Sequence, residues 1–278
     1  MDTRGMKIDG RKIAQDIQKN LAEKIRKEDA NILFSLIVVG NNPVTENFIR
    51  YKVRFGKQIG ITPLIVRFPS SVSQEEFEQK LEFITRESDA VIVQLPLPSS
   101  LNEERILSLI PPEKDVDVLS EVAMNAFVSG SQILPPVTGA ILHSLESIPT
   151  SLHRKNIVLY GYGKLVGRPF AHYLQREHIP FSLIRSTTKD EEKRSLLKNA
   201  DIIVSGVGVA GLIQKEDIRE GVIVIDAGTS ESSGSVVGDL HPDAYEKVSF
   251  YTPVPGGIGP LTIAVLYENV WKLWKNKH

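Results

Sequence analysis

Four side chains in this 278-residue chain have the types that proton transfer and polar recognition require. They are Lys52 in F-I-R-Y-K, Gln94 in V-I-V-Q-L-P-L-P, and Asp115 and Asp117 in P-P-E-K-D-V-D. A lysine taken out of water has a lowered pKa and can exchange protons near neutrality. A glutamine amide orients a water or polarises a ligand. A carboxylate holds the amino and N–H edge of a heterocycle through paired hydrogen bonds. Each also has an ordinary reading: Lys52 as a solvated helix face, Gln94 as the polar end of a strand, the aspartates as loop caps. Only convergence at one edge of a fold separates the two readings.

A second group suits a phosphorylated ligand. After the apolar run Ile157–Tyr160 comes G-Y-G-K-L-V-G, with Gly161, Tyr162, Gly163 and Gly167 placed between a strand and a helix. Backbone N–H groups at such a turn and the helix N-terminus behind it can hold a pyrophosphate. The spacing is one residue longer than G-x-G-x-x-G, so a tight turn needing positive φ is the competing reading. The next strand ends in I-R-S-T-T, with Arg185 and Ser186 where an NAD-binding chain often carries an acidic residue for the ribose hydroxyls. A guanidinium beside a hydroxyl suits a 2′-phosphate. The expected cofactor is therefore NADP rather than NAD, against the alternative that Arg185 is merely solvated. Two further loops, S-G-V-G-V-A-G and D-A-G-T-S, leave the same expected edge, and their glycines let backbone approach a flat ring.

Composition removes other chemistries. There is no cysteine, which excludes disulfides, zinc ribbons, iron–sulfur clusters and thiol nucleophiles. His143, His153, His172, His178, His241 and His278 show no ligand spacing such as H-E-x-x-H, so no metal is expected. Lys plus Arg number 33 against 34 Asp plus Glu, which offers no broad attraction for nucleic acid or an anionic membrane. The charged N-terminus lacks a signal-peptide core, and no run approaches the roughly 20 apolar residues of a membrane span. The expectation is a soluble, cytoplasmic protein.

These residues need a scaffold that turns strands and helices in alternation. Val- and Ile-rich runs at Phe34–Val39, Leu64–Phe68, Ala90–Leu95, Asn156–Tyr160, Phe181–Ile184, Asp201–Ser205 and Val222–Asp226 lack strict alternation, as strands covered on both faces do. Amphipathic segments at Lys12–Arg26, Thr45–Ile59, Gln74–Arg86, Val166–Glu177 and Asp190–Asn199 fill the gaps as helices. The order implies right-handed βαβ units and an α/β fold of two lobes, the second of Rossmann type. The pattern breaks between Val122 and Asn156, at I-L-P-P-V-T-G followed by a short helix around Ala140–Ser147. The expected division is residues 1–122, completed by a C-terminal helix over 260–278, and residues 123–259. Pro260 suits that helix's first turn, and Lys272, Lys275 and Lys277 its negative end.

The strings IDGRKIAQDI, VGNNP, VQLPLP, KDVD and Thr252–Val270, TPVPGGIGPLTIAVLYENV, run nearly end to end. In them the chain resembles the bifunctional methylenetetrahydrofolate dehydrogenase/methenyltetrahydrofolate cyclohydrolase family. The resemblance implies two α/β lobes facing a cleft, with the C-terminal helix returning to the first, and usually a homodimer. It implies NAD(P)-linked oxidation of methylenetetrahydrofolate to the methenyl cation, then hydrolysis to 10-formyltetrahydrofolate. Lys52 matches the family's catalytic lysine, Gln94 its partner glutamine and Asp117 the acid that holds the pterin. Pro255, Gly256 and Gly257 match a loop along the folate, while Gly161 to Gly163 and Thr229 match positions lining the nicotinamide cofactor.

The chain also departs from the family. The family's Y-x-x-x-K reads F-I-R-Y-K, so Phe48 stands at the tyrosine position, one helical turn before Lys52 and unable to hydrogen-bond to it. Tyr51 points about 100° away and is a poor substitute. G-R-S has become G-Y-G at Tyr162 and Gly163, the glycine after KDVD is Val118, and P-C-T-P-x-G reads P-V-T-G-A-I. Oxidation is expected to persist while hydrolysis is weakened. The competing readings are a non-catalytic folate- or nucleotide-binding regulator, which the retained Lys52, Gln94 and Asp117 oppose, and an NADP oxidoreductase for an unrelated substrate, which the intact PVPGGIGP loop opposes.

Overall fold

The structure is a computed structural model, describing residues 5–232 and 235–278. Short strand β1 (Met6–Lys7) leads into α1 (Gly10–Lys27), and β2 (Phe34–Val39), α2 (Pro43–Gln58), β3 (Leu64–Phe68), α3 (Gln74–Glu87) and β4 (Ala90–Val93) follow in turn. Helices α4 (Glu103–Ser108), α5 (Glu121–Val128) and α6 (Pro136–Glu146) lead to β5 (Ile157–Tyr160), α7 (Gly167–Arg176), β6 (Phe181–Ile184), α8 (Asp190–Asn199), β7 (Ile202–Ser205) and β8 (Val222–Asp226). The chain ends with a small hairpin, β9 (Ser230–Ser232) and β10 (Ser235–Val237), then β11 (Val248–Tyr251) and α9 (Ile258–Lys277).

Two compact units divide these elements. The first, here the lysine unit, comprises Gln15–Pro136 and Ile263–His278; the second, the glycine-loop unit, comprises Met1–Ala14 and Val137–Thr262. Compared with the expected segments, the N-terminal stretch is grouped with the glycine-loop unit. The reason is local: β1 pairs in parallel with β11, placing Met6 beside Phe250.

The lysine unit is built on a parallel sheet in the order β3-β2-β4. Central β2 reads FSLIVV and is buried at every position, as a strand covered on both faces must be. Helix α3 starts at Ser73, whose side chain accepts from the Glu76 N–H. Its Phe77 and Leu81 are buried with Ile37, Val91 and Ile106 in one core. Strand β4 stops at Val93, short of the expected Leu95, because Pro96 carries no N–H to continue a ladder. Even so, the Gln94 N–H donates to the Ile37 carbonyl at 2.8 Å, holding Gln94 at the sheet's carboxyl end.

The C-terminal helix closes this unit, as the resemblance implied. Its Leu261, Ala264, Val265, Leu266, Tyr267 and Val270 are buried almost all round its circumference. Tyr267 stacks on Phe55 at 5.2 Å and meets Phe34 edge-on at 5.6 Å, and its hydroxyl donates to the Lys52 carbonyl at 2.7 Å. Gly56 leaves room for it, since a Cβ there would lie 2.4 Å from the Tyr267 hydroxyl. Tyr267→Phe keeps the ring and removes one buried hydrogen bond. It is expected to lower unfolding free energy by about 1 kcal/mol; an unchanged urea midpoint would contradict this.

The glycine-loop unit carries a parallel sheet in the order β1-β11-β8-β7-β5-β6. The order reverses direction at β5, the place where doubly wound sheets open a crevice at their carboxyl ends. Strands β7 and β8 are buried throughout, with β11 and β1 extending the sheet beyond them. Neither β11 nor β1 is anticipated by the sequence reading: β1 has two residues, and VSFY of β11 lacks a Val/Ile-rich run.

Candidate active site

In the lysine unit, helix α2 and the end of β4 bring two of the expected residues together. Lys52 Nζ donates to Gln94 Oε1 at 2.8 Å, and the Gln94 amide is oriented by its own Nε2 donating to the Leu95 carbonyl at 2.8 Å. Lys52 is 9% exposed, so this is no solvated helix face. Burial holds its ammonium below the usual lysine range, and the Asp117 carboxylate opposes that shift without cancelling it. Asp117 is in turn pushed up by burial and drawn back by Lys52, so the two groups sense each other's charge.

Asp117 sits on a loop organised by Asp115. The Asp115 carboxylate accepts from the Asp117 and Val118 N–H groups, both at 2.9 Å, and from the Ser120 hydroxyl at 3.4 Å. Burial, aided by the neighbouring Asp117, pushes its carboxyl up to about 6. Val118, in place of the family's glycine, lies at φ +54°, a region that β-branched residues rarely enter. Helix α9 holds this loop too: Asn269 Nδ2 donates to the Val116 carbonyl at 2.9 Å and to the Leu134 carbonyl at 2.7 Å. Tyr267 and Asn269 thus tie Lys52 and the Asp117 loop to one helix. The sequence reading missed both roles, because bonds to backbone carbonyls leave no spacing signal.

Phe48 stands on α2 one turn before Lys52 with its ring 52% exposed, and Tyr51 is 61% exposed. Among the described residues, Gln94 is the hydrogen-bond partner of the Lys52 ammonium, and no tyrosine hydroxyl reaches it.

In the glycine-loop unit three loops abut at the carboxyl ends of β5, β7 and β8. Gly161 has φ +95°, and a Cβ on it would lie 3.1 Å from Val207. A Cβ on Gly167 would lie 2.0 Å from the Gly161 carbonyl oxygen, so the turn closes on the first residues of α7 only because both positions are bare. Val166 at the N-cap offers no side-chain oxygen; the Arg168 N–H instead donates to the Gly163 carbonyl at 3.0 Å, Pro169 has no N–H, and Arg168 Nε is buried with no partner. Gly163 and Thr229 are exposed beside these loops, and the Thr229 carbonyl would lie 3.3 Å from a Cβ on Gly208.

The loop after β7 is held by a carboxylate that the sequence reading did not single out. Asp239, fully buried, accepts from the Ser205 hydroxyl at 2.6 Å and from the N–H groups of Val207, Gly208 and Val209 at 2.8, 2.9 and 2.8 Å. Beside it Asp226 accepts from the Gly228 and Leu240 N–H groups, and burial pushes its carboxyl up to about 6. G-D-L is an unremarkable string; only the fold carries it back under the glycine loop.

Arg185 and Ser186 are exposed just beyond β6. The Arg185 guanidinium lies over the Tyr162 ring at 4.6 Å and has no carboxylate partner among the described residues. Pro255 is exposed, and Gly256, at φ +109°, faces the Arg11 side chain. Gly257 packs so closely on Gly10 that a Cβ on Gly10 would lie 1.9 Å from the Gly257 carbonyl oxygen.

A bare glycine turn at positive φ between strand and helix, a helix start without a side-chain cap and a guanidinium with no carboxylate partner define a nucleotide-binding α/β protein, here joined to a unit with a buried lysine–glutamine pair. Residues 8–117 match the catalytic domain of tetrahydrofolate dehydrogenase/cyclohydrolase, and residues 135–278 match its NAD(P)-binding domain. The bifunctional protein FolD of Streptococcus sanguinis is 35% identical over 277 residues, covering 96% of this chain and 97% of the relative. Two solved structures share the fold at a TM-score of 0.92 and 30% identity: the FolD dehydrogenase/cyclohydrolase of Campylobacter jejuni, covering 98% of this chain and 99% of that one, and the Trypanosoma brucei enzyme complexed with NADP cofactor and inhibitor, covering 99% and 98%. The chain belongs to the tetrahydrofolate dehydrogenase/cyclohydrolase family.

Proposed function

We propose that this protein oxidises 5,10-methylenetetrahydrofolate with NADP and hydrolyses the resulting 5,10-methenyl cation to 10-formyltetrahydrofolate. The observation that carries the reading is the buried Lys52 ammonium held by Gln94 at 2.8 Å. A binding protein has no use for a lysine kept out of water beside an oriented amide, whereas a proton-transfer site requires one.

The nicotinamide supplies the acceptor for a hydride leaving a carbon already activated by two nitrogens, so the first step moves no proton at that carbon. The residues here have the form to receive it. The bare Gly161–Gly167 turn lets a pyrophosphate approach the backbone at the start of α7, where the positive end of the helix dipole lies, and Arg185 with Ser186 suits a 2′-phosphate. Asp117 is assigned to the amino and N–H edge of the pterin, and Pro255, Gly256 and Gly257 to the folate's flank. Gly163 and Thr229 are assigned to the nicotinamide end.

Hydrolysis asks more of the protein. Water adds to the methenyl carbon, and neutral Lys52 Nζ takes its proton while Gln94 Oε1 engages one Nζ hydrogen and leaves the lone pair free. The proton is then returned to the ring nitrogen whose bond to that carbon breaks, while the hydroxyl left on the carbon becomes the formyl C=O and its proton is released to solvent. Phe48 contributes an apolar face and no hydroxyl to this exchange. Phe48→Tyr is therefore expected to raise the hydrolysis rate several-fold with little change in oxidation, and an unaltered hydrolysis rate would count against the assignment. The cytosol and a homodimer, usual in the family, complete the proposed setting.

The decisive assay is spectrophotometric. Purified protein is given methylenetetrahydrofolate with NADP or NAD, and methenyl formation and decay are followed. Turnover favouring NADP is expected; no turnover with either cofactor would return the chain to the binding-protein reading.

A further inference from the structure

We propose that Tyr162 is a specificity-determining residue that secures the preference for NADP over NAD by holding Arg185 in its phosphate-binding position. The inference rests on the reading of Arg185 as the group that meets the 2′-phosphate.

The sheet sets the pair side by side. Strands β5 and β6 are parallel neighbours with Tyr160 opposite Ile184, and the Gly161 N–H donates to the Ile184 carbonyl at 2.9 Å, carrying the pairing one step past the strand ends. Tyr162 and Arg185 leave that edge next to each other. The Arg185 N–H donates to the Thr188 hydroxyl at 2.9 Å, which fixes the backbone from which the side chain starts. The guanidinium carbon then lies 4.6 Å from the centroid of the Tyr162 ring.

An exposed arginine otherwise spreads over many rotamers, and a ligand that binds it must first order it. Stacking on an aromatic face removes part of that freedom beforehand while leaving the edge N–H donors of the fork unused. Arg185 has no carboxylate partner among the described residues, so those donors remain open to an anion. The effect is selective by construction. NAD has no 2′-phosphate for the guanidinium to engage, so ordering Arg185 does nothing for it. The phenol hydroxyl takes no part: the ring face does the holding, and phenylalanine should serve as well.

Dissociation constants of NADP and NAD for the folate-free protein, measured by calorimetric titration, test this without relying on turnover. Tyr162→Ala and Tyr162→Leu are expected to weaken NADP about three- to tenfold, with NAD changed less than about twofold. Tyr162→Phe should bind both as the parent does. In the Arg185→Ala background, Tyr162→Ala should have no further effect on NADP, because a residue acting through Arg185 has nothing left to act through. Equal weakening of NADP and NAD, or full additivity in the double variant, would overturn the proposal and make Tyr162 a direct contact to the shared part of the nucleotide. An unchanged ratio in Tyr162→Ala alongside a changed one in Arg185→Ala would overturn the proposal alone. An unchanged ratio in Arg185→Ala would overturn the phosphate reading and the proposal together.

Discussion

Lys52→Met is expected to lower methenyltetrahydrofolate hydrolysis by about 10²–10⁴-fold, the range spanned by a positioned acid–base group. Methionine matches the length of the lysine stem, and Asp117, which loses its opposing charge, can take up a proton instead of remaining a lone carboxylate, so the fold is expected to survive. Oxidation should fall far less, since the hydride step transfers no proton at the reacting carbon. The pH dependence carries the same assignment. Lysine acts as a base only when neutral, and burial holds the Lys52 pKa below the ordinary lysine range despite the opposing pull of Asp117. Hydrolysis should therefore rise with pH through that lowered pKa and level off above it. In Lys52→Met the rise should vanish. Stopped-flow absorbance of methenyl decay across pH gives both quantities, and a variant that hydrolyses at the parent rate would remove Lys52 from the mechanism.

The second large effect is expected at Asp239. Its two oxygens accept one hydroxyl and three backbone N–H groups, all at 2.6–2.9 Å, from Ser205 to Val209. Asp239→Ala leaves those donors unpaired in a partly buried place, at a cost of about 3 kcal/mol or more. Asp239→Asn should do nearly as badly, because its amide nitrogen would face N–H groups that need an acceptor. The loop so released abuts the Gly161 turn, where Val207 meets the backbone of the glycine motif. NADP affinity should fall more than about tenfold as the loop loses its shape. Hydrolysis should persist at temperatures where the protein stays folded, since Lys52 and Gln94 belong to the other unit. Urea unfolding and NADP titration of the two variants check this, and parent-like NADP binding by Asp239→Ala would refute the role given to the carboxylate.

Much of the architecture was legible beforehand, for reasons that differ between elements. β2 declared itself because FSLIVV is apolar at every position, as a strand buried on both faces must be. α8 is bounded at Asp190–Asn199 in both sequence and structure, with Asp190, Glu191 and Glu192 in its first turn and Leu197 the residue it buries. β1, with two residues, and β11, whose VSFY carries no Val/Ile-rich run, show no pattern of their own and are held by their neighbours in the sheet. Among the site residues, Lys52 and Gln94 were visible as types and strings. Their 2.8 Å contact, across 42 positions of sequence, was not.

What the sequence determined by itself was chemical inventory and local grammar. It excluded thiol chemistry, supplied the alternation of strand and helix, placed glycines where a turn must approach a helix start, and carried the strings by which the family is recognised. Those properties depend on neighbours along the chain. The tertiary structure decided everything that depends on neighbours in space. It took Lys52 out of water, aimed Gln94 at it, and hung both Lys52 and the Asp117 loop from α9 through Tyr267 and Asn269. It set Arg185 on the Tyr162 ring and brought Asp239 beneath the glycine loop. Burial, charge coupling and preorganisation are functions of distance between atoms, and the fold alone sets those distances.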